Sequence, residues 1–385
     1  LDRQPAAEPI MSQPVLWIPG PTQVRAEILQ ECARPMIGHR GAQMSALHER
    51  IDPHLRLCFG LAENSASKVA VHTASASGLM ESALAGAGPR VLALVNGAFS
   101  QRFAEIAACL GREVTVLCAE NGRCVEPAEV ARTLEQRGPF DAVTLVVNET
   151  STGVRTPLAP LTKIFAAHPK LMVLADVVTL LGGAPVDFDA SGLDFAFAGS
   201  QKALALPPGI SVACASGRYL EQARARRMRG WYLDPVRIFE GHEKRATPAT
   251  PCIPLYYALA RQLEDISSGT TLHHKDRRKT GLEAWRARYE EHARMQQITE
   301  AWAQSNSLDL FPLPELCSPT VSCIRAETLD IPSFLAAMLA RGHQLGTGYG
   351  ELQRSTFRIG HMGDHTEVTL AQMLSIADDV IRELS

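Results

Sequence analysis

Between Arg90 and Ala215, short apolar runs alternate with helical patterns. Arg90 to Val95, Glu113 to Leu117, Ala142 to Val147, Leu171 to Asp176, Phe195 to Ala198 and Ser211 to Ala215 read as strands. Ser100 to Leu110, Pro127 to Gln136 and Leu161 to Ala167 read as helices between them. Several strands are apolar along their length, as expected where both faces of a parallel sheet are covered. Strand–helix–strand rhythm of this kind builds right-handed crossovers and a largely parallel α/β sheet. In such sheets ligands bind beyond the carboxyl ends of the strands, so the residues that end each strand carry the functional information.

Two neighbouring strand ends are the most informative. One run ends in Asp176, and the next ends in Gly199-Ser200-Gln201-Lys202, with Pro207-Pro208-Gly209 beyond. An acid and a lysine delivered into one crevice suit pyridoxal phosphate, which takes a lysine for its Schiff base and an acid against its pyridine nitrogen. The plainer alternative is a surface lysine and an acidic turn residue. Val69 to His72 runs into Thr73-Ala74-Ser75-Ala76-Ser77-Gly78 and then a helical pattern. Free N–H groups there could cradle a phosphate, or the turn could be a simple N-cap. Asn96-Gly97 is followed by Phe99, a possible plate over a ring or ordinary packing, and Asn148 to Gly153 reads NETSTG.

Trp17 to Thr22 is an arm punctuated by proline and glycine. Ala26 to Cys32 is a short helix, GHRGAQ (Gly38 to Gln43) a loop, and the next helix is interrupted near Pro53. His39 and Arg40 could hold an anion or belong to a capped loop. Tyr219 to Met228 is helical, and Tyr232 to Thr250 is irregular, ending in Thr247-Pro248-Ala249-Thr250-Pro251. A helix with proline in its first turn begins at Pro254, where we set the domain boundary. Then follow a long helix (Leu282 to Ser305), a strand (Thr320 to Arg325), a helix (Pro332 to Arg341), a strand (Thr356 to Ile359) and a last helix (Leu370 to Leu384), an α+β lid. Arg358 is the one charge in the strand-like FRIG, and its planar fork suits a carboxylate. Gly346 to Gly350 is a glycine-dense loop, with no preceding strand to make it a dinucleotide fingerprint.

Composition limits the partners. A net charge of -3 in 385 residues gives no broad attraction to nucleic acid or anionic lipid, and the Arg224 to Arg229 tract reads as a solvated helix face. Nine cysteines without a CxxC or zinc-like cluster read as thiols of a reducing cytoplasm, with no metal site. There is neither a signal peptide pattern nor an 18-residue apolar run. The first ten residues, LDRQPAAEPI, read as an extended leader or as residues foreign to the natural chain.

At SQKALALPPG the chain resembles the class V (fold-type I) pyridoxal-phosphate aminotransferases, near the alanine–glyoxylate and serine–pyruvate transaminases. Ordered matches span nearly the whole chain: PGPT, GHR, the small-residue turn, VNGAFSQR, NETSTG, LADVVTLLGG, GSQKAL with PPG, TPATP and FRIGHMG. The resemblance implies a large cofactor-binding domain with a central, mostly parallel sheet (26–253), a smaller C-terminal α+β domain (254–385) and an N-terminal arm (1–25). It implies that Lys202 would form the Schiff base and then shuttle the Cα proton, and that Asp176 would keep the pyridine nitrogen protonated. Thr150 would sit near the phenolic oxygen, with Val178 on one ring face and Phe99, where many relatives have tryptophan, on the other. Ser75, Ala76, Ser77 and Gln201 would hold the phosphate, with Thr250 and Thr247 reaching in from a partner subunit of a homodimer. Thr247 stands where enzymes near the alanine–glyoxylate branch have tyrosine, which looks more like the phosphoserine or aspartate branch. Arg358 would clamp the substrate carboxylate, the backbone at Gly20 would close the pocket, and His39 and Arg40 would bear on a distal anionic group.

The implied activity is amino transfer from a small L-amino acid, alanine or serine, to glyoxylate or pyruvate. Phosphoserine or aspartate with 2-oxoglutarate is the alternative, and a lyase or desulfurase of the same fold ranks below both. A cofactor-free binding protein has no use for Asp176 and Lys202 together. A nicotinamide-dependent oxidoreductase explains the alternation but not the lysine.

Overall fold

A computed structural model describes residues 13–273 and 276–384; the leader expected over the first ten residues lies outside them. The main sheet has seven strands in the order Lys68–His72, Ser211–Ala215, Phe195–Gly199, Met172–Asp176, Ala142–Val146, Arg90–Val95, Glu113–Cys118. Ser211–Ala215 runs antiparallel to both neighbours, and the pairs on the other side of the sheet are parallel. Alternate residues of a strand point to opposite faces, and here both faces are core. Val143, Val173, Ala196 and Val212 join one apolar cluster, while Ala142, Met172, Leu174, Phe195, Phe197 and Ala213 join another. That is why these strands carry no polar alternation.

A second sheet of five strands runs Val15–Trp17, His343–Thr347, Thr356–Ile359, Ser322–Arg325, Asp309–Leu310. Its core is shared with the helices Gly281–Ser305, Ile331–Ala340 and Glu367–Leu384, through Met295, Trp302, Phe334, Met338, Leu370 and Leu374. The arm supplies its edge strand, paired in parallel with His343–Thr347. Trp17 anchors it, fully buried and stacked on the His365 ring at 3.8 Å.

Four local expectations meet a different structure. The helix Ala42–Cys58 runs through Pro53 without a break. Its buried stripe of Met44, Leu47, Ile51, Leu55 and Cys58 outweighs the hydrogen bond that proline forfeits. The stretch expected to be irregular contains a helix, Pro235–Glu243, started by Asp234, whose carboxylate accepts from the Val236 N–H, and by proline at the first position. The helix expected over Tyr219 to Met228 is Gly217–Ala225, with Ser216 capping the Tyr219 N–H. The helix Ile253–Ser267, expected to open the second domain, buries Leu255, Tyr256, Leu259 and Leu263 in the same cluster as Ile28, Leu47 and Ile51. Its packing therefore belongs with the first core.

Candidate active site

Met172–Asp176 and Phe195–Gly199 are adjacent and parallel, so their carboxyl ends open on the same edge. Asp176 is 4% exposed, and its Oδ1 accepts the Val178 N–H at 2.7 Å. Among the described residues Oδ2 takes no hydrogen bond. Burial raises this carboxyl to about 7; the negative Glu149 adds to the rise, while the Val178 N–H, Lys202 and Arg102 oppose it. Lys202 is 8% exposed, and its Nζ donates to the Pro19 carbonyl. Burial, then the Arg358 charge, lower its amine to about 8, against the pull of Asp176 and Glu149. An amine tuned there keeps a useful neutral, nucleophilic share at neutral pH.

Gly20 completes the floor of this crevice. At φ +96° a side chain is strained, and a Cβ would come within 2.5 Å of Lys202 Cδ and 2.7 Å of its Nζ. The arm that carries Pro19 and Gly20 is thus as much a part of the site as the sheet.

Arg358, on the Thr356–Ile359 strand, is 9% exposed. Its Nε donates to the Thr347 carbonyl at 2.8 Å and its Nη1 to the Thr150 carbonyl at 3.0 Å. Two bonds orient the fork and leave Nη2 for an acceptor in the crevice. Thr150 also shares a short hydroxyl contact with Thr179. Phe99 sits in the first turn of the helix Ala98–Cys109. Ser75 is the N-cap of Ala76–Gly86, an eleven-residue helix, and makes no capping bond with its own side chain. The first-turn N–H groups at Ala76 and Ser77 are therefore open to an anion. Gln201 folds over Gly199, where a Cβ would come within 2.5 Å of its Oε1, and its carbonyl accepts the Thr22 N–H. Val178 is half-buried against the second core cluster.

Other expected residues are not joined to this cluster within one chain. The side chains of His39, half-buried, and Arg40, exposed, make no hydrogen bond or ion pair among the described residues. Thr250 is exposed, and Thr247 Oγ1 is enclosed without a partner. Even so, the Cys252 N–H donates to Thr73 Oγ1 at 2.9 Å, which draws the end of the Thr247–Thr250 turn against the strand that leads to Ser75.

Glu149 is the residue that sequence reasoning passed over within NETSTG. It is fully buried and accepts from the Phe99 and Ser100 N–H groups, from the Ser100 hydroxyl and from both N–H and hydroxyl of Ser151. A carboxylate at a helix N-terminus meets both its free N–H groups and its dipole. The legible signal was an acid closing an apolar strand, the same signal that exposed Asp176.

The chemistry of the donor set fits pyridoxal phosphate. A buried carboxylate with one unpartnered oxygen suits a cationic ring nitrogen, and a helix N-terminus suits a phosphate. A lysine with a lowered pKa suits an aldehyde. Fold and site together define a fold-type I pyridoxal-phosphate enzyme. The family described as "Aminotransferase class-V" matches residues 64–305, and the chain belongs to it. It is 30% identical to a serine–glyoxylate aminotransferase of Methylorubrum extorquens, over 94% of this chain and 90% of that one. It is 29% identical to an L-aspartate–glyoxylate aminotransferase of Paracoccus denitrificans, over 97% and 92%. The solved alanine–glyoxylate aminotransferase of Nostoc sp. superposes with a TM-score of 0.85 at 26% identity, over 99% of this chain and 98% of that one. The chain is accordingly an aminotransferase whose cofactor is pyridoxal phosphate. No helix among the described residues is long and apolar enough to cross a membrane.

Proposed function

We propose that this transaminase takes its amino group from a small L-amino acid, alanine or serine, and passes it to glyoxylate or pyruvate. The observation that carries the reading is the buried Lys202 flanked by the Asp176 carboxylate and the Arg358 guanidinium at one sheet edge. The three relatives reported above all carry glyoxylate in their names, which supports that acceptor.

In this reading, Asp176 holds the ring nitrogen's proton. Ser75, Ala76, Ser77 and Gln201 hold the phosphate, Phe99 and Val178 bracket the ring, and Thr150 lies by its phenolic oxygen. Arg358 orients the substrate through its α-carboxylate, and Gly20 and Pro19 exclude water from beneath Lys202. Bound there, the cofactor supplies the electron sink that makes the substrate Cα proton acidic. Lys202 Nζ moves that proton, which its lowered pKa equips it to do near neutral pH. Two chains form a homodimer in which Thr247, Thr250, His39 and Arg40 of one subunit complete the other's site. Their side chains make no hydrogen bond or ion pair among the described residues, which supports this.

Borohydride is expected to fix the cofactor on the wild-type protein and not on Lys202→Ala; fixation on the variant rejects Lys202. Mixing the holoenzyme with single L-amino acids and following the cofactor's visible absorbance tests the donor. Conversion by phosphoserine but not by alanine or serine overturns the assignment. For the dimer, mixing inactive Lys202→Ala with a weakly active Thr250→Ala variant is expected to restore activity through hybrid sites. No restoration refutes the shared site.

A further inference from the structure

The glycine-dense stretch Gly346–Gly350 holds Tyr349, which joins the two halves of the site. The strand His343–Thr347 ends two residues before it, and a 3-10 turn, Gly350–Arg354, follows. The Tyr349 ring lies 5.6 Å from the Phe99 ring, tilted by 45°, and the Arg358 guanidinium carbon is 5.6 Å from its centre. Tyr349 thus bridges the aromatic plate of the large domain and the carboxylate clamp of the small one.

Its hydroxyl accepts from Arg102 Nη2 at a long 3.4 Å, and the Arg102 guanidinium carbon stands 4.8 Å from the centre of the Phe99 ring. Arg102 forms no ion pair among the described residues. Its charge nevertheless reaches Asp176, so it lies within the field of the site. A half-buried guanidinium without a carboxylate, beside a phenol hydroxyl, is a pair of donors in need of an oxygen acceptor.

We propose that Tyr349 and Arg102 form the side-chain subsite and select amino donors whose short side chain ends in oxygen, serine or aspartate, over alanine. This rests on Arg358 as the α-carboxylate clamp; of the two donors proposed above it ranks serine ahead of alanine, and it admits aspartate because that short side chain also ends in oxygen. A substrate held by that fork is in contact with the residue Tyr349 packs on, so its first side-chain atoms face the phenol. The Tyr349 ring closes that direction to long chains, and its hydroxyl and Arg102 reward an oxygen there. Tyr349 is 37% exposed, so the selection comes from bonds gained and not from donors stranded: a side-chain oxygen accepts from Arg102 and Tyr349, and alanine has no acceptor to offer.

The test measures half-reaction rates of the holoenzyme with L-serine, L-aspartate and L-alanine, for the wild type, Tyr349→Phe, Arg102→Gln and Arg102→Lys. The wild type is expected to favour serine or aspartate over alanine. That ratio is expected to fall about tenfold in Arg102→Gln, by less in Tyr349→Phe, and to recover partly in Arg102→Lys. Tyr349→Phe removes one oxygen and keeps the ring, so it carries the test if Arg102→Gln fails to take up cofactor. A ratio unchanged in a variant with wild-type cofactor absorbance overturns the proposal, as does a wild-type preference for alanine. Failure of all three donors to discharge the wild-type cofactor rejects the transaminase donor reading instead.

Discussion

Asp176 is held in a condition that only a cation relieves. With one hydrogen bond and no solvent, its carboxyl titrates at about 7 instead of near 4. A folded pKa raised above the unfolded one gives stability that is complete below the unfolded value and lost as pH rises through the folded one. The apoprotein is therefore expected to lose melting temperature as pH rises from about 4 to about 7, and to level off above that. Asp176→Asn is expected to flatten that profile, and so is saturation with cofactor, whose ring nitrogen the proposed site sets against the carboxylate. Calorimetry across this range checks it; an apoprotein profile as flat as that of Asp176→Asn rejects the account. Gly20 is constrained from the opposite direction, by volume. Gly20→Ala places a methyl within 2.5 Å of Lys202 Cδ at a positive φ, and about a hundredfold loss of kcat is expected, because such displacements of a reacting group are costly. Steady-state kinetics with near-normal KM is the signature. Asp176 and Lys202 were legible because strand ends in parallel sheets point one way. Gly20 beside Lys202 was not, because no local pattern brings residues 20 and 202 together.

The helix Ala98–Cys109 shows how an element is aimed. Its first turn carries Phe99 and is gripped by Glu149, which offers carboxylate oxygens to the Phe99 and Ser100 N–H groups. Glu149→Gln keeps the shape but turns an amide N–H toward those donors, so a loss of about 1–3 kcal/mol is expected in urea unfolding. The same substitution removes a negative neighbour of Asp176, so the carboxyl ionises more easily and the fall in apoprotein stability becomes shallower and ends at lower pH. A variant as stable as the wild type refutes the grip. Elements with strong local signals, the strands from Arg90 to Ala215 and the long helix, stood out from residue pattern alone. The Pro235–Glu243 helix was missed because its polar exposed face masked Val236, Ile238 and Phe239, although Asp234-Pro235 is a legible start signal. Pro53 misled in the other direction, since tertiary burial overrode a local breaker.

At the scale of the molecule, a buried charge network ties the lobes together. Arg25 of the arm donates to Asp364 at 2.6 Å, Gln262 at 2.6 Å and Asp265 at 2.9 Å. Arg288 of the long helix, 2% exposed, meets Asp364 at 3.0 Å and donates to the carbonyls of Gly182 at 3.0 Å and Ala203 at 2.8 Å. The carbonyl after Lys202 is thereby fixed from the opposite lobe. Asp364→Asn leaves Arg288 buried without its counter-charge, and about 3–5 kcal/mol of destabilisation is expected. The two arginines hold the Asp364 carboxyl below its usual range. Its contribution is present above the unfolded value, near 4, and fades as pH falls below that toward the folded one. Urea midpoints measured from about pH 6 down to pH 3 should therefore fall less steeply in Asp364→Asn than in the wild type; parallel curves reject the network. None of this was legible in the sequence. Arg25, Arg288 and Asp364 sit in unremarkable contexts, and only long-range topology makes them neighbours.

The edge strand of the small sheet also sets an order of events during synthesis. Val15–Trp17 leaves the ribosome before every strand of the larger sheet, and its partner His343–Thr347 after all of them. For most of translation the arm has no strand to pair with, while the seven strands of the larger sheet are already complete. Pro19 and Gly20, which hold and shape the space around Lys202, can settle only once His343–Thr347 arrives. The nascent protein therefore carries Lys202 in an unfinished pocket until His343–Thr347 has emerged, and competence to take up cofactor is expected only after that.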